Sequence, residues 1–191
     1  MPAAQDARPT IKVWDVLVRV GHWTLVAGIT GAWFVHGKWH EWLGYTVLAV
    51  VAVRIVWGLI ARSHSSHTDN TNYARFSQFV KSPAATLLYA KQIITHQEPR
   101  HIGHNPLGGW MIVVLLLTIT GVCVSGWLYT TDRFWGEQWV ETLHEGLAYI
   151  MLALVALHIS GVVFSSIRHG DNLLAAMMHG KKRAPESGDV T

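Results

Sequence analysis

Twenty successive residues, Trp110 to Tyr129 (WMIVVLLLTITGVCVSGWLY), carry no charged side chain. Three further apolar runs accompany them: Val16 to Val35, Trp42 to Ile60, and about Leu143 to Ile167. At about 1.5 Å per helical residue, each run can cross a hydrocarbon core about 30 Å thick. Inside lipid, backbone polar groups must be satisfied within their own segment, so such runs are helices. The expected fold class is all-α: an integral membrane four-helix bundle of up-down topology. Half of the 191 residues are hydrophobic and only 14 % are charged, a balance foreign to ordinary soluble domains. Arg19, Arg54 and several histidines lie within or beside the runs and lower their hydropathy.

The distribution of Lys and Arg orients the bundle. Arg8, Lys12 and Arg19 lie at the N-terminal end; Arg62, Arg75, Lys81, Lys91 and Arg100 lie between runs two and three; Arg168, Lys181, Lys182 and Arg183 lie at the C-terminal end. The opposite side holds only Lys38 and Arg133. The positive-inside rule therefore puts both termini and the long loop in the cytoplasm, as in a multi-pass protein of the bacterial inner membrane. Trp33, Trp39, Trp42, Trp127, Trp135 and Trp139 gather near the outer surface as an aromatic belt. The net charge of +3 then reports topology rather than nucleic-acid binding. The polar start, Met1 to Lys12, has no cleavage signal after an apolar run, so the first run is expected to be retained. The expected layout is a cytoplasmic segment (1–15), a membrane domain (16–169) with a loop at about 61–108, and a cytoplasmic tail (170–191). Phe76 to Ile94 reads as a surface amphipathic helix, Asp171 as the cap of a short tail helix, and the residues after Lys181 as disordered.

His144 and His158 lie fourteen residues apart in run four. That is close to four helical turns, so both face nearly the same way, about 21 Å apart along the axis. The charge-based topology gives every embedded histidine a depth. His22 and His158 fall at the inner level, His40 and His144 at the outer level. Two histidines from facing helices at equal height are what bis-His ligation of a haem iron needs. One cysteine, Cys123, excludes a disulfide framework and covalent Cys-x-x-Cys-His attachment of haem. A lone membrane histidine is more often a hydrogen-bonded packing residue, but four in two matched layers are not a chance arrangement. A proton relay would call for carboxylates at mid-membrane depth, and the runs contain almost none apart from Glu145 at a helix end. A single tetrahedral zinc cannot span two levels so far apart. His36 is an alternative outer ligand to His40. His64, His67, His96, His101, His104, His169 and His179 read mostly as solvated or interfacial, with His104 placed to fix the start of helix three.

These residues carry a pattern that resembles the prokaryotic cytochrome b561 family, including the b-type cytochrome subunits of nickel–iron hydrogenases. The similar features are Trp14-Asp15, Arg19 and His22-Trp23; His40 with Leu43-Gly44; the run His104 to Gly109; Leu143-His144-Glu145 and His158; then Asn172-Leu173 and Gly180 to Arg183. The resemblance extends from about Val13 to Arg183. It implies a four-helix bundle with two haem b groups ligated by His22, His40, His144 and His158.

The expected function is transmembrane electron transfer between a periplasmic redox partner, or a small oxidant or reductant, and the membrane quinone pool. Bis-His ligation leaves no open position on iron, so chemistry belongs at haem edges or at a nearby quinone. Arg19, three residues before His22, and Arg54, at the inner level, are the candidates for haem propionates or a quinone head group. Their structural alternatives are a topology anchor for Arg19 and a snorkelling side chain for Arg54. Similarity to some family members also admits superoxide oxidation coupled to quinone reduction. A membrane anchor docking a redox enzyme such as a hydrogenase is the alternative from another class, with a transporter or proton channel third.

Overall fold

The computed structural model describes residues 9–61 and 73–190. Arg8, Arg62, His64 and His67 lie outside the described residues. Among the described residues the regular structure is helical apart from one two-stranded ribbon and an isolated bridge between His101 and Val190.

Helix α1 (Val16–Ala32) starts where Asp15 accepts the Val18 N–H at 2.7 Å. It ends three residues before the apolar run does, and Gly37, at φ 62°, turns the chain into α2 (Lys38–Ile60). Helix α2 thus begins before Trp42 and takes His40 into its first turns; hydropathy missed this because Lys38, His40 and Glu41 are polar. The amphipathic stretch divides into α3 (Phe76–Phe79) and α4 (Pro83–Ile94). Pro83 cannot continue a helix from upstream, and Ser82 caps the new one through the Ala85 N–H. Asn105 and Pro106 do the same for α5 (Pro106–Tyr129), with Gly108 N–H donating to Asn105 at 2.7 Å. Helix α6 (Gln138–His169) has 32 residues, about 48 Å at helical rise, and projects beyond any hydrocarbon core before Gly170 ends it in the left-handed region. Helix α7 (Leu173–His179) closes the helical part.

Three helices, α2, α5 and α6, are long and apolar enough to cross a membrane; α1, with 17 residues, is a shorter apolar helix. They pack in the order α1–α2–α5–α6, each against the next. The shared core is Val47 and Val51 of α2, Leu116 and Ile119 of α5 and Met151 of α6, with Leu25 and Ile29 of α1 against it. Large apolar side chains elsewhere point outward, such as Leu117 (68 % exposed) and Ile167 (78 %). That inside-out surface suits a lipid solvent.

Beneath the helices the two ends of the chain meet. Strand β1 (Thr10–Lys12) pairs antiparallel with β2 (Lys181–Arg183). Val190 then docks on the loop before α5: Ile102 N–H donates to its carbonyl at 3.0 Å and its own N–H to the Arg100 carbonyl at 2.8 Å. Arg100 is buried and bound by Asp171 at 2.7 Å and by Asp189. Two expectations are corrected here. The tail after Lys181 is ordered to residue 190, because Arg100 and Lys182 bring it two buried cation sites to close over. The cap of α7 is Asn172, which accepts the Ala175 N–H at 2.8 Å, since Asp171 is engaged by Arg100.

Candidate functional site

Two histidine pairs occupy opposite ends of the bundle. The outer pair is His40 on α2 and His144 on α6, with ring centroids 6.0 Å apart and planes at 77°. Two imidazoles bound at about 2.0 Å on opposite sides of one metal ion hold their centroids about 6.3 Å apart. The observed spacing therefore suits a shared iron.

Hydrogen bonding fixes which nitrogen is available. His40 Nδ1 lies 2.9 Å from the Ala32 carbonyl, left free because α1 ends there. His144 Nδ1 lies 3.0 Å from the Val122 carbonyl and 3.2 Å from Ser125 Oγ. A carbonyl can only accept, so in both rings Nδ1 carries the proton and the Nε2 lone pair is left over. A ligating histidine that donates its other N–H to a carbonyl is the usual outer-shell arrangement of metal sites. His36, by contrast, is exposed and outside this pair.

The inner pair is His22 on α1 and His158 on α6, close enough to interact electrostatically. Buried polar atoms without a hydrogen-bond partner collect at this end: His22 Nδ1, Arg19 Nε, Arg54 Nη1 and His104 Nδ1. Arg54 lies over the Phe76 ring at 5.0 Å, with Asp15 as the nearby carboxylate. Asp15 itself also accepts the Trp57 indole N–H at 2.9 Å. Arg19 donates to the Met178 carbonyl and lines a shallow groove with Trp23, Thr24, Ala27 and Met178.

Two inner residues escaped the sequence reading. His104 does not fix the helix start, which Asn105 does; its ring is held between Trp14 at 4.5 Å and Phe79 at 4.8 Å. Burial first, then the neighbouring Lys182, Arg54 and His158, push its pKa down to about 3. Lys182 lies 5.7 Å from the Trp14 ring and donates to the Ile102 carbonyl at 2.9 Å; burial lowers its pKa to about 8. The only available signal was the chain's use of polar residues in His104 to Gly109 and Gly180 to Arg183. His101 is likewise not solvated: it packs on Tyr89 at 5.2 Å, and burial lowers its pKa to about 4. Arg19, Arg54 and Lys182 share this neighbourhood with two carboxylates, Asp15 beside Arg54 and Asp171 near Lys182, and Asp171 is already bound by Arg100; an anionic group would balance the remaining positive charge.

Paired imidazoles at both ends of an apolar helical bundle are a class of site that could hold a metal-centred cofactor between helices. The model of the prokaryotic cytochrome b561 family matches residues 13–180, and the chain belongs to that family. It is a membrane b-type cytochrome of electron transfer, and membership implies haem b. The chain is also 24 % identical to a probable Ni/Fe-hydrogenase B-type cytochrome subunit of Bradyrhizobium diazoefficiens, over 92 % of this chain and 87 % of that protein. No solved structure matches it.

Proposed function

We propose that this protein conducts electrons across the bacterial inner membrane through two haem b groups, one held by His40 and His144, the other by His22 and His158. The observation that carries the reading is the outer pair: two rings at iron-sandwich spacing, each with Nδ1–H given to a carbonyl and Nε2 left free. Four helices cross the membrane in this reading, over residues 16–169. Strand β1 pairs with β2, so the start and end of this span share one side and the number of crossings between them is even. Three helices among the described residues are long enough to cross, an odd number, which supports taking the shorter apolar α1 as the fourth. The Lys and Arg distribution makes the shared side cytoplasmic, together with the segments 1–15 and 170–191.

Bound haem supplies a one-electron couple and a conjugated edge for tunnelling. The protein's residues do the rest. His40, His144, His22 and His158 set the level and orientation of each group. Arg54 and Arg19, with His104 and Lys182 beside them, offer donors to propionates at the inner level or to a quinone head group in the Arg19–Trp23–Met178 groove. The apolar helices keep water from both levels. The outer end meets a periplasmic electron donor or acceptor. The hydrogenase subunit among its relatives supports a second reading of the same chemistry, in which a membrane-bound redox enzyme docks there.

The test is a haem count on the purified full-length protein. Pyridine haemochrome should give about two haem b per chain, as two bis-His layers require. His158→Ala should remove the inner haem and spare the outer, and His144→Ala the reverse. One haem or none in the parent protein would end the two-layer reading.

A further inference from the structure

Helix α5 carries no histidine, yet it touches His144 at three consecutive points of its surface. Val122 offers a carbonyl to Nδ1 at 3.0 Å, and Ser125 offers Oγ at 3.2 Å. At Gly126 a Cβ would stand 3.0 Å from His144 Cε1 and 3.2 Å from Nδ1, so the ring lies where a side chain would otherwise be. Ser125 is 2 % exposed, and its hydroxyl donates to the same Val122 carbonyl at 3.0 Å.

We propose that Ser125 is a positioning residue for the outer haem, and that Val122, Ser125 and Gly126 together set the plane, tautomer and basicity of the His144 imidazole. This rests on His144 being an outer haem ligand. The Val122 carbonyl already serves the helical N–H of Gly126, so the Ser125 hydroxyl and the His144 Nδ1–H share its remaining capacity. Ser125 accepts from Nδ1–H while donating to Val122, which couples the orientation of hydroxyl and ring. A hydroxyl that draws on the carbonyl weakens the Nδ1–H···O bond and makes the imidazole less basic. Removing it leaves His144 as the one side-chain donor to that carbonyl besides the helical N–H of Gly126; a stronger bond makes the ligand more basic and favours ferric iron. The outer haem is tuned from a helix that does not ligate it.

Spectroelectrochemical titration and low-temperature EPR of the haem-loaded full chain test this. The outer haem is identified as the one lost in His144→Ala. In Ser125→Ala, nearly isosteric, both haems should be retained. At a fixed ambient potential the ferric-to-ferrous ratio of the outer haem should rise about threefold to tenfold, with its EPR g-values changed and the inner haem unmoved. Gly126→Ala should alter the same EPR signal by turning the ring, without replacing a ligand. Unchanged potential and g-values in Ser125→Ala, or equal changes at both haems, would overturn the proposal. If instead His144→Ala kept both haems, the ligand reading itself would fail, and this proposal with it.

Discussion

At the scale of single residues, the inner site is defined by polar groups that the protein buries and does not pair. His104 is the extreme case. Its pKa is lowered from 6.5 to about 3 by burial and by nearby cations, so the folded protein keeps it neutral. As pH falls below 6.5 the unfolded chain takes up a proton that the folded chain refuses. More protons bound by the unfolded state means that stability rises with pH; it is fully present above about pH 6.5 and is lost as acid approaches pH 3. His101, lowered to about 4, adds to the same slope. Between pH 7 and pH 5 the pair should remove about 3–4 kcal/mol of stability. Thermal unfolding in detergent checks this: the midpoint should drop on acidification, and His104→Gln should flatten the drop. An unchanged slope in that variant would show that His104 does not resist protonation. The sequence offered no sign of this, because the depth of a loop histidine depends on Trp14 and Phe79, which only the fold brings to it.

At the scale of elements, most of what was legible came from hydropathy and charge. The four apolar runs became α1, α2, α5 and α6, and the pairing of His40 with His144 and of His22 with His158 followed from helix direction alone. What hydropathy could not locate were the ends, which belong to caps. Asp15, Ser82, Asn105 and Asn172 start their helices with side-chain acceptors, Gly37 turns the chain into α2, and Gly170 ends α6 in the left-handed region. Nor could it locate the places where helices touch. Gly28 of α1 is one: a Cβ there would stand 2.7 Å from Val47 Cγ2 of α2. Gly28→Ala should force the two helices apart and cost about 1–3 kcal/mol. The double variant Gly28→Ala/Val47→Ala removes the opposing methyl and should recover part of that loss. Thermal midpoints of the two single variants and the double one give the coupling directly, and simple additivity would show that the helices do not meet at this point.

At the scale of the whole molecule, the clasp formed by β1, β2 and the tail makes one unit of parts that are far apart in sequence. Thr10–Lys12, the loop residues Arg100 and Ile102, Asp171, and the tail to Val190 meet around Arg100 and Lys182. No residue pattern announced this, because a short polar tail looks the same whether it closes on buried cations or not. Asp171→Ala should open it. The variant leaves Arg100 buried with Asp189 as its remaining carboxylate, and breaking a buried ion pair from one side costs about 3–5 kcal/mol. With the clasp open, trypsin should reach Lys181, Lys182 and Arg183, which the β1–β2 pairing otherwise protects. The same experiment reads the topology. In inverted membrane vesicles the parent protein should resist cleavage at these sites and Asp171→Ala should be cut. In spheroplasts neither should be cut, since the proposed orientation puts the clasp on the cytoplasmic side. Cleavage of the variant only from the outer side would invert the orientation and put the cation-rich inner haem site at the periplasmic surface. Cleavage of the parent and the variant at equal rates would show that Arg100 and Asp171 do not hold the ends together.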